Sequence, residues 1–293
     1  MGQYTIDYYK LYRGNDAPPL DLRAALRRLV GMQGLVSGER AIPREIKELR
    51  EVQGVFTGIA VKYRVRDLPH KGAPGGDEDE LGLRDDEGII EKTHFLIAPG
   101  PDVLLLQRNR NAATYNTIAG LLGEFLNEII IFAPVLQPDA IERLMRRNGT
   151  ITHVDVAVTS PSPEQLARVR PAAGGWSADV LSLMGNTEAA TLSFTIKGNL
   201  HARDDRRFLG QNIVTGIRRL FRSPVTVKKA RVWFDSDEQL NDFIDLTGDG
   251  FVDIVDVEDA GRYPNSIGIF TEMRRLWQER RLYLRDLSDR EGR

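Results

Sequence analysis

The sequence predicts an α+β protein of two domains, built mainly from antiparallel sheets with a few packed helices and a long C-terminal helix. Three observations lead to this prediction. Segments that alternate between apolar and polar residues, as strands with one exposed face do, recur along the chain, and Thr150 to Thr159 is the clearest. Apolar residues at spacings of three and four indicate helices between them, the longest from Ile267 to Leu287. A Pro- and Gly-rich stretch, 160–175, marks a boundary between domains 1–160 and 161–293.

The composition limits the classes of function. With 293 residues, 41% of them hydrophobic, the chain can build one large or two ordinary domains. The formal net charge is −2, so no global positive field attracts nucleic acid. The absence of cysteine excludes disulfides, thiol catalysis and cysteine-based zinc sites. Because no apolar run approaches the ~20 residues of a membrane span and no basic-then-apolar signal occurs, we expect a cytoplasmic protein without membrane insertion.

In the predicted N-terminal domain, β-branched and aromatic residues indicate strands, and capping residues ahead of apolar periodicity indicate helices. The expected strands are 3–12, 54–66, 93–98, 103–106, 128–135 and 150–159. The expected helices follow the caps Asp21, Thr117 and Asp139 and cover 22–30, 118–126 and 140–147. Residues 39–51 carry little signal, and 67–91 form a Gly- and Pro-rich loop with an acidic run.

The apolar strand 103–106 ends in a polar segment, Gln107 to Asn111, that leads into the next helix. Arg108 and Arg110, with two asparagines, would lie at the start of that helix, where main-chain N–H groups and arginines can hold a phosphate. The alternative is that these residues only close the strand and cap the helix, since Asn and Arg are common there.

In the predicted C-terminal domain, the expected elements are helices at 176–184, 204–221 and 267–287 and strands at 190–198 and 225–234. Residues 239–256 suggest a hairpin with Gly248 and Gly250 at its turn. The same segment places oxygen-bearing side chains at the ligand positions of a calcium loop: Asp245, Thr247, Asp249, Asp253 and Asp256. Such a loop needs a following helix, which Gly261 and Pro264 would end almost at once. We therefore expect a hairpin, with no metal or other cofactor.

Basic residues concentrate between Arg203 and Arg231. They are Arg203, Arg206, Arg207, Arg218, Arg219, Arg222, Lys228, Lys229 and Arg231. In a helix over 204–221, Arg207 and Arg218 would share a face, and Lys229 and Arg231 would project from one side of the next strand. Such a surface is typical of phosphate-backbone binding, and its few aromatic residues favour duplex contact over base stacking. The alternative is a solvated helix face with partner salt bridges.

Catalysis is poorly supported. The four histidines are scattered without ligand spacing, and no nucleophile elbow, phosphate-binding loop or dinucleotide fingerprint occurs. Dispersed acids such as Asp155 and Glu188 could assemble a nuclease site, but nothing in their spacing selects them. We assign no catalytic residue and lean towards a protein that is not an enzyme.

The last predicted helix suits either packing on its own sheet or a dimer interface. Its apolar stripe comprises Phe270, Met273, Leu276, Trp277 and Leu284. Trp277 and the neighbouring arginines are residue types enriched in interfaces, so we expect this helix to support a homodimer.

The order of these elements resembles that of a known family. The features that carry the likeness are the opening strand at Tyr4 with the helix near Leu20, the strand 55–65 before an acidic loop, the hairpin 94–106 with its Gln107–Asn111 end, and the basic helix near 203–222 before a C-terminal hairpin and long helix. In this pattern the chain resembles the RexA family of phage-exclusion proteins and related prophage-borne proteins of unknown function. The string Leu105-Leu-Gln-Arg-Asn-Arg-Asn is similar to one in uncharacterised relatives of this family.

The resemblance implies a cytoplasmic, dimeric, DNA-binding sensor with a two-domain α+β architecture like that of the nucleoid protein RdgC. It also implies a membrane-protein partner encoded nearby, as RexB is for RexA, but it transfers no functional residue position by position. We expect a phage-defence sensor that binds double-stranded DNA with little sequence preference. A metal-dependent nuclease or other effector enzyme acting on nucleic acid is the alternative, and an adaptor that binds only protein is a third possibility.

Overall fold

A computed structural model describes residues 1–13, 21–32, 34–37, 43–146, 150–160, 175–199, 201–202, 204, 207–210, 212–223, 225–235, 243–248, 250–261 and 263–291. It confirms the α+β class, with antiparallel sheets and a long C-terminal helix. In this part of the chain, no helix has the length and apolar character needed to cross a membrane.

The strands are β1 (Gly2–Arg13), β2 (Leu35–Val36), β3 (Arg44–Val52), β4 (Val55–Arg64), β5 (Lys71–Gly72), β6 (Glu78–Asp79), β7 (Ile89–Ala98), β8 (Val103–Gln107), β9 (Ile130–Pro134), β10 (Ile151–Thr159), β11 (Thr191–Lys197), β12 (Thr226–Phe234), β13 (Phe243–Asp245), β14 (Val252–Val257), β15 (Asp259–Ala260) and β16 (Tyr263–Pro264). The helices are α1 (Leu22–Leu29), α2 (Tyr115–Leu126), α3 (Pro138–Arg146), α4 (Trp176–Thr187), α5 (Asn212–Phe221) and α6 (Ser266–Glu291).

The chain divides into two compact units that interleave along the sequence. Unit 1 comprises Met1–Ile6, Leu20–Asn127 and Ile254–Arg293, and unit 2 comprises Asp7–Pro19 and Glu128–Asp253. These units are not the predicted domains 1–160 and 161–293, whose status as separate folding domains stays a prediction.

Unit 1 is built on a sheet in which the strands follow the order β14-β1-β8-β7-β4-β3-β2. Within this sheet, β2 pairs with β3, β3 with β4, β4 with β7 and β7 with β8, and all four pairs are antiparallel. All five residues of β8 are buried, because both faces of the strand are covered, and for 103–106 this is what the unbroken apolar run predicted. Helix α6 packs against β7 and β8, and α2 packs against β3.

Strand β3 and the start of α2 differ from what the sequence predicted, and the predicted loop 67–91 contains β5, β6 and the start of β7. Residues 44–52, where the sequence carries little signal, form β3, because a bulge between Lys47 and Arg50 interrupts the alternation, with Glu48 in the left-handed region at φ 55°. Helix α2 begins one turn before the predicted cap Thr117. Its N-cap is Thr114, and Thr117 completes a capping box with it.

Unit 2 is built on a sheet, here called the unit 2 sheet, whose described strands follow the order β11-β10-β12-β13. Its pairs are antiparallel. One face packs against α4 and α5 in a core of aliphatic side chains, among them Val154, Val156, Met184, Ile217 and Val232. The second part of β1 pairs with β9, also antiparallel.

Three predictions in unit 2 are wrong. Helix α5 starts at Asn212 rather than 204. The segment before it is held beside β10, because the Leu209 N–H donates to the Ile151 carbonyl at 2.8 Å. The hairpin predicted at 239–256 does not form, since β13 pairs with β12 whereas β14 lies next to β1 in another sheet. Helix α3 starts at Pro138, so Asp139 lies inside it rather than capping it.

Candidate nucleic-acid interface

Strand alternation divides the side chains of the unit 2 sheet between a covered face and an open face. On β12, Ala230 and Val232 are buried against the helices, so Lys229, Arg231 and Trp233 project to the opposite side. The alternate residues of β10 and β11 project to the same side, and those on β11 are exposed. We call this side, away from α4 and α5, the open face.

Four residues lie in one row across the open face, one from each described strand. Lys197 pairs with His153, His153 with Trp233, and Trp233 with Phe243. The His153 and Trp233 rings stack at 4.1 Å between centroids and 14° between planes. Trp233 and Phe243 are 5.5 Å apart and tilted by 31°. We call the three rings the aromatic row.

The next row carries charges. Arg231 lies opposite Asp155 on one side and Asp245 on the other, and its Nε lies 2.9 Å from the Asp245 carboxylate. Lys229 forms an ion pair with Asp155. The Lys229 and Arg231 side chains remain 38% and 41% exposed. Exposed ion pairs of this kind contribute only about 0–1 kcal/mol, so a phosphate group can compete for both cations.

A bulge adds a third cation to this region. The register between β10 and β12 shifts between Ala157 and Val158, which leaves Lys228 and Lys229 together between buried Val227 and Ala230. Lys228 is exposed.

The surroundings of His153 and Asp245 lower the pKa of both side chains. Burial lowers the pKa of His153, Lys197 lowers it further, and Asp155 opposes the shift, so the stacked imidazole is neutral at pH 7. Burial acts to raise the pKa of Asp245, but hydrogen bonds from Thr247, Arg231 and Gly248 outweigh it and hold that pKa below its ordinary value.

The hydrogen bonds of Asp245 also bear on the calcium-loop alternative. Its Oδ1 accepts from the Thr247 hydroxyl at 2.6 Å and from the main-chain N–H groups of Thr247 and Gly248, both at 3.1 Å. Two of the predicted ligand side chains therefore bind each other in a turn. Asp249 lies outside the described residues, and among those described no cluster of three or more His, Cys, Asp or Glu is arranged to hold a metal.

The basic residues predicted as one stripe occupy different surfaces. Arg218 and Arg219 are exposed near the C-terminus of α5, on the helix side of the unit 2 sheet, where cations also complement the helix dipole. The Arg222 guanidinium lies 4.7 Å from the Tyr12 ring centroid. Arg207 precedes α5 instead of sharing its face and pairs with Asp235 at 2.9 Å. Arg203 and Arg206 lie outside the described residues.

Arg108 and Arg110 belong to unit 1, at the end of β8, and both are exposed. The neighbouring polar groups have structural roles. Asn109 donates to the Lys92 carbonyl at 2.9 Å and accepts from the Asn111 N–H at 3.1 Å, while threonines form the capping box of α2. These contacts are those of the strand-closing and capping alternative.

Sequence reasoning missed the aromatic row. Counted along residues 203–231 aromatic side chains are few, but the register gathers His153, Trp233 and Phe243 from three strands. Each ring lies at an alternating position of its strand, which was the available signal. Only the register, which the sequence does not supply, places the three together.

The fold and the open face define an α+β protein with a basic and aromatic sheet surface. A family model described as a family of unknown function (DUF6731) matches residues 36–280, and the chain belongs to this family. The matched range includes every residue of the open face. Among curated proteins, none matches the chain.

Proposed function

We propose that the chain is a DNA-binding protein that contacts the phosphate backbone with little sequence preference. The observation that carries the proposal is the set of cations on the open face, Lys197, Lys228, Lys229 and Arg231. Their exposed ammonium and guanidinium groups are the donors that nucleic-acid backbones bind, and such contacts are independent of sequence.

The open face supports moderate rather than tight electrostatic binding. Asp155 and Asp245 lie among the cations and pair with Lys229 and Arg231. A phosphate must therefore displace or share a carboxylate partner. We expect binding that weakens steeply with salt, because each contact to duplex DNA releases a condensed counterion.

We further propose that this binding serves a phage-defence sensor. The support is the resemblance in element order to the RexA family, including the strand-rich N-terminal part and the long terminal helix. On this proposal the protein acts in the cytoplasm as a homodimer and signals to a membrane protein encoded nearby.

The experiment is a titration of labelled DNA, single-stranded and duplex, followed by fluorescence anisotropy over a series of salt concentrations. The double variant Lys197→Gln/Lys229→Gln should lower the log–log salt slope by about 0.9 per lost contact on duplex DNA, or about 0.7 on a single strand. Arg66→Gln/Lys71→Gln, which removes two exposed charges of unit 1, is the matched control and should leave the slope unchanged. Absence of binding to either form of DNA would refute the proposal.

Two further variants test the other predicted sites. Arg218→Gln/Arg219→Gln probes α5, and Arg108→Gln/Arg110→Gln probes the end of β8. If the open face is the site, neither pair lowers the salt slope. A lowered slope in one pair would transfer the site to that surface.

The nuclease alternative is tested in the same samples. A sensor retards DNA in a gel and leaves it intact with or without magnesium. A magnesium-dependent nuclease would shorten the DNA during the incubation.

A further inference from the structure

We infer that the open face binds single-stranded DNA, with unpaired bases stacking on the aromatic row while the neighbouring cations contact the backbone. The inference rests on the proposed function and names its ligand class. Single-stranded DNA and single-stranded RNA share the chemistry that this face would recognise, which is unpaired nucleobases on a phosphate backbone.

The aromatic row presents a stacking surface that ends at the edge of the sheet. Phe243 lies on β13, the last strand of the unit 2 sheet in the described residues, and is 39% exposed. Trp233 and His153 continue the row inward and are partly exposed. A base that joins the row at Phe243 extends an existing stack, and base–aromatic stacking tolerates any sequence because every base has a π-face.

Cations lie at both ends of this row. Lys197 is the cross-strand neighbour of His153 at one end, and the Arg231 guanidinium lies 5.5 Å from the Phe243 ring centroid at the other. Three strand spacings of about 4.8 Å separate the outer strands, so the sheet is about 14 Å wide and the three rings span about 10 Å of it. Open four-stranded sheets also recognise single strands by stacking bases on aromatic residues. Here His153 and Trp233 stack on each other, so a base joins at the Phe243 end of the row.

The geometry disfavours duplex DNA on the same face. The bases of a duplex are stacked inside it and cannot reach the aromatic row. A sheet about 14 Å wide before its side chains are counted does not enter a major groove about 12 Å wide, which admits only a helix or a two-stranded ribbon. Contact with a duplex would use phosphates alone, and Asp155 and Asp245 oppose that contact.

The experiment compares three ligands by anisotropy: an oligothymidylate of about 12 nucleotides, an abasic strand of the same length and a duplex of the same length. This length lies within the usual range of single-strand site sizes. We expect the oligothymidylate to bind tightest. Oligodeoxyuridylate and oligouridylate, which carry the same base, distinguish the sugar: tighter binding of the deoxy strand identifies DNA, and tighter binding of the ribo strand identifies RNA, as the source of the bases.

The decisive variant is Phe243→Leu, which keeps an apolar side chain of similar size and removes the ring. Loss of one base–aromatic contact should weaken oligothymidylate binding roughly 5- to 150-fold and leave the abasic strand unaffected. Phe243→Tyr, which keeps the ring, should restore binding. Leu183→Ala, an exposed apolar residue on α4 at 49% exposure, is the control and should change nothing.

The outcomes separate the inference from the proposed function. If duplex and single strand bind equally and Phe243→Leu weakens neither, the stacking inference fails and the phosphate-binding proposal stands. If no DNA binds, the proposed function fails and the inference with it. If only RNA binds, stacking stands and the assignment to DNA is overturned.

Discussion

At the scale of single residues, His94 in β7 is a buried titratable group with a hydrogen-bond partner at each ring nitrogen. Its side chain is 2% exposed, and its Nδ1 donates to the Gln107 Oε1 at 2.6 Å. The Ser266 hydroxyl, at the start of α6, lies 2.8 Å from its Nε2, and Phe270 contacts the ring edge-on at 5.2 Å. Burial lowers the pKa of His94, and the hydrogen bond to Gln107 offsets this only in part. The folded protein therefore holds the imidazole neutral.

This predicts acid-sensitive stability. Because the pKa of His94 is lower in the folded state than its unfolded value of about 6.5, the unfolded state binds the proton first as pH falls. The contribution of His94 is complete above pH ~6.5 and is lost below it, by at most about 1.36 kcal/mol per pH unit. Urea unfolding at pH 7.5 and 5.5 should show the loss, and His94→Gln should reduce it.

His201→Gln is the control for this measurement, because His201 is exposed. It should keep the pH dependence of the wild type. The same pH dependence in the His94→Gln protein would show that other groups cause it.

At the scale of elements, α4 and α5 are packed so closely that a glycine is required between them. A Cβ added to Gly216 of α5 would lie 2.0 Å from the Trp176 Nε1 of α4. A Cβ added to Gly185 of α4, in contrast, would have no other atom within 4 Å. Substituting alanine for each of these two glycines therefore compares the cost of closer packing with the gain in helix propensity.

We expect opposite effects from the same substitution at these positions. Gly185→Ala should stabilise the protein by about 0.5–1 kcal/mol, since alanine has the higher helix propensity. Gly216→Ala should destabilise it by up to about 2.5 kcal/mol, because an overpacking cost of about 1–3 kcal/mol outweighs that gain. Chemical denaturation of both variants measures the difference, and stabilisation by Gly216→Ala would contradict the close packing.

How well each element could be predicted depends on whether its signal is local. The β7–β8 hairpin is predictable, because its turn residues include Gly100 at φ 117° and the strand segments next to the turn, 95–98 and 103–106, are apolar. Strand β3 is not, since its bulge shifts the apolar positions from Ile46 to Leu49. The partner of β13 depends on which of two sheets it joins, and no turn signal encodes that choice.

The candidate site was predictable only in part for the same reason. Lys229 and Arg231 lie two apart on one strand, so their common side follows from strand geometry alone. Their grouping with Arg218 assumed that one run of sequence makes one surface, whereas β12 and α5 present their cations on opposite sides of the unit 2 sheet. The aromatic row required a register across three strands.

At the scale of the whole molecule, the long helix α6 buries one apolar face and leaves two large apolar side chains exposed. Ile269, Met273, Leu276 and Leu284 are buried within the chain, and α6 packs against β7 and β8. Packing on the helix's own sheet, the alternative to a dimer interface, therefore accounts for much of the predicted stripe. Leu282 remains 73% exposed and Ile267 77% exposed.

We predict a homodimer in which the outer surface of α6 meets a second copy. Light scattering should give about twice the chain mass of 32.9 kDa. Leu282→Glu should shift the protein towards monomer, because it places a charge in an apolar contact. Ile254→Glu, at a residue of β14 that is 61% exposed, is the control and should leave the mass unchanged. A monomeric wild type would exclude the dimer.

The interleaving of the two units has a consequence for how the protein is made. Synthesis proceeds from the N-terminus, and unit 1 receives its last segment, Ile254–Arg293, only after all of unit 2 has been translated. Until then β7 and β8 leave the ribosome without α6 to cover them. We expect unit 2 to finish folding on the ribosome first, while the nascent unit 1 keeps an apolar surface uncovered that a chaperone can hold.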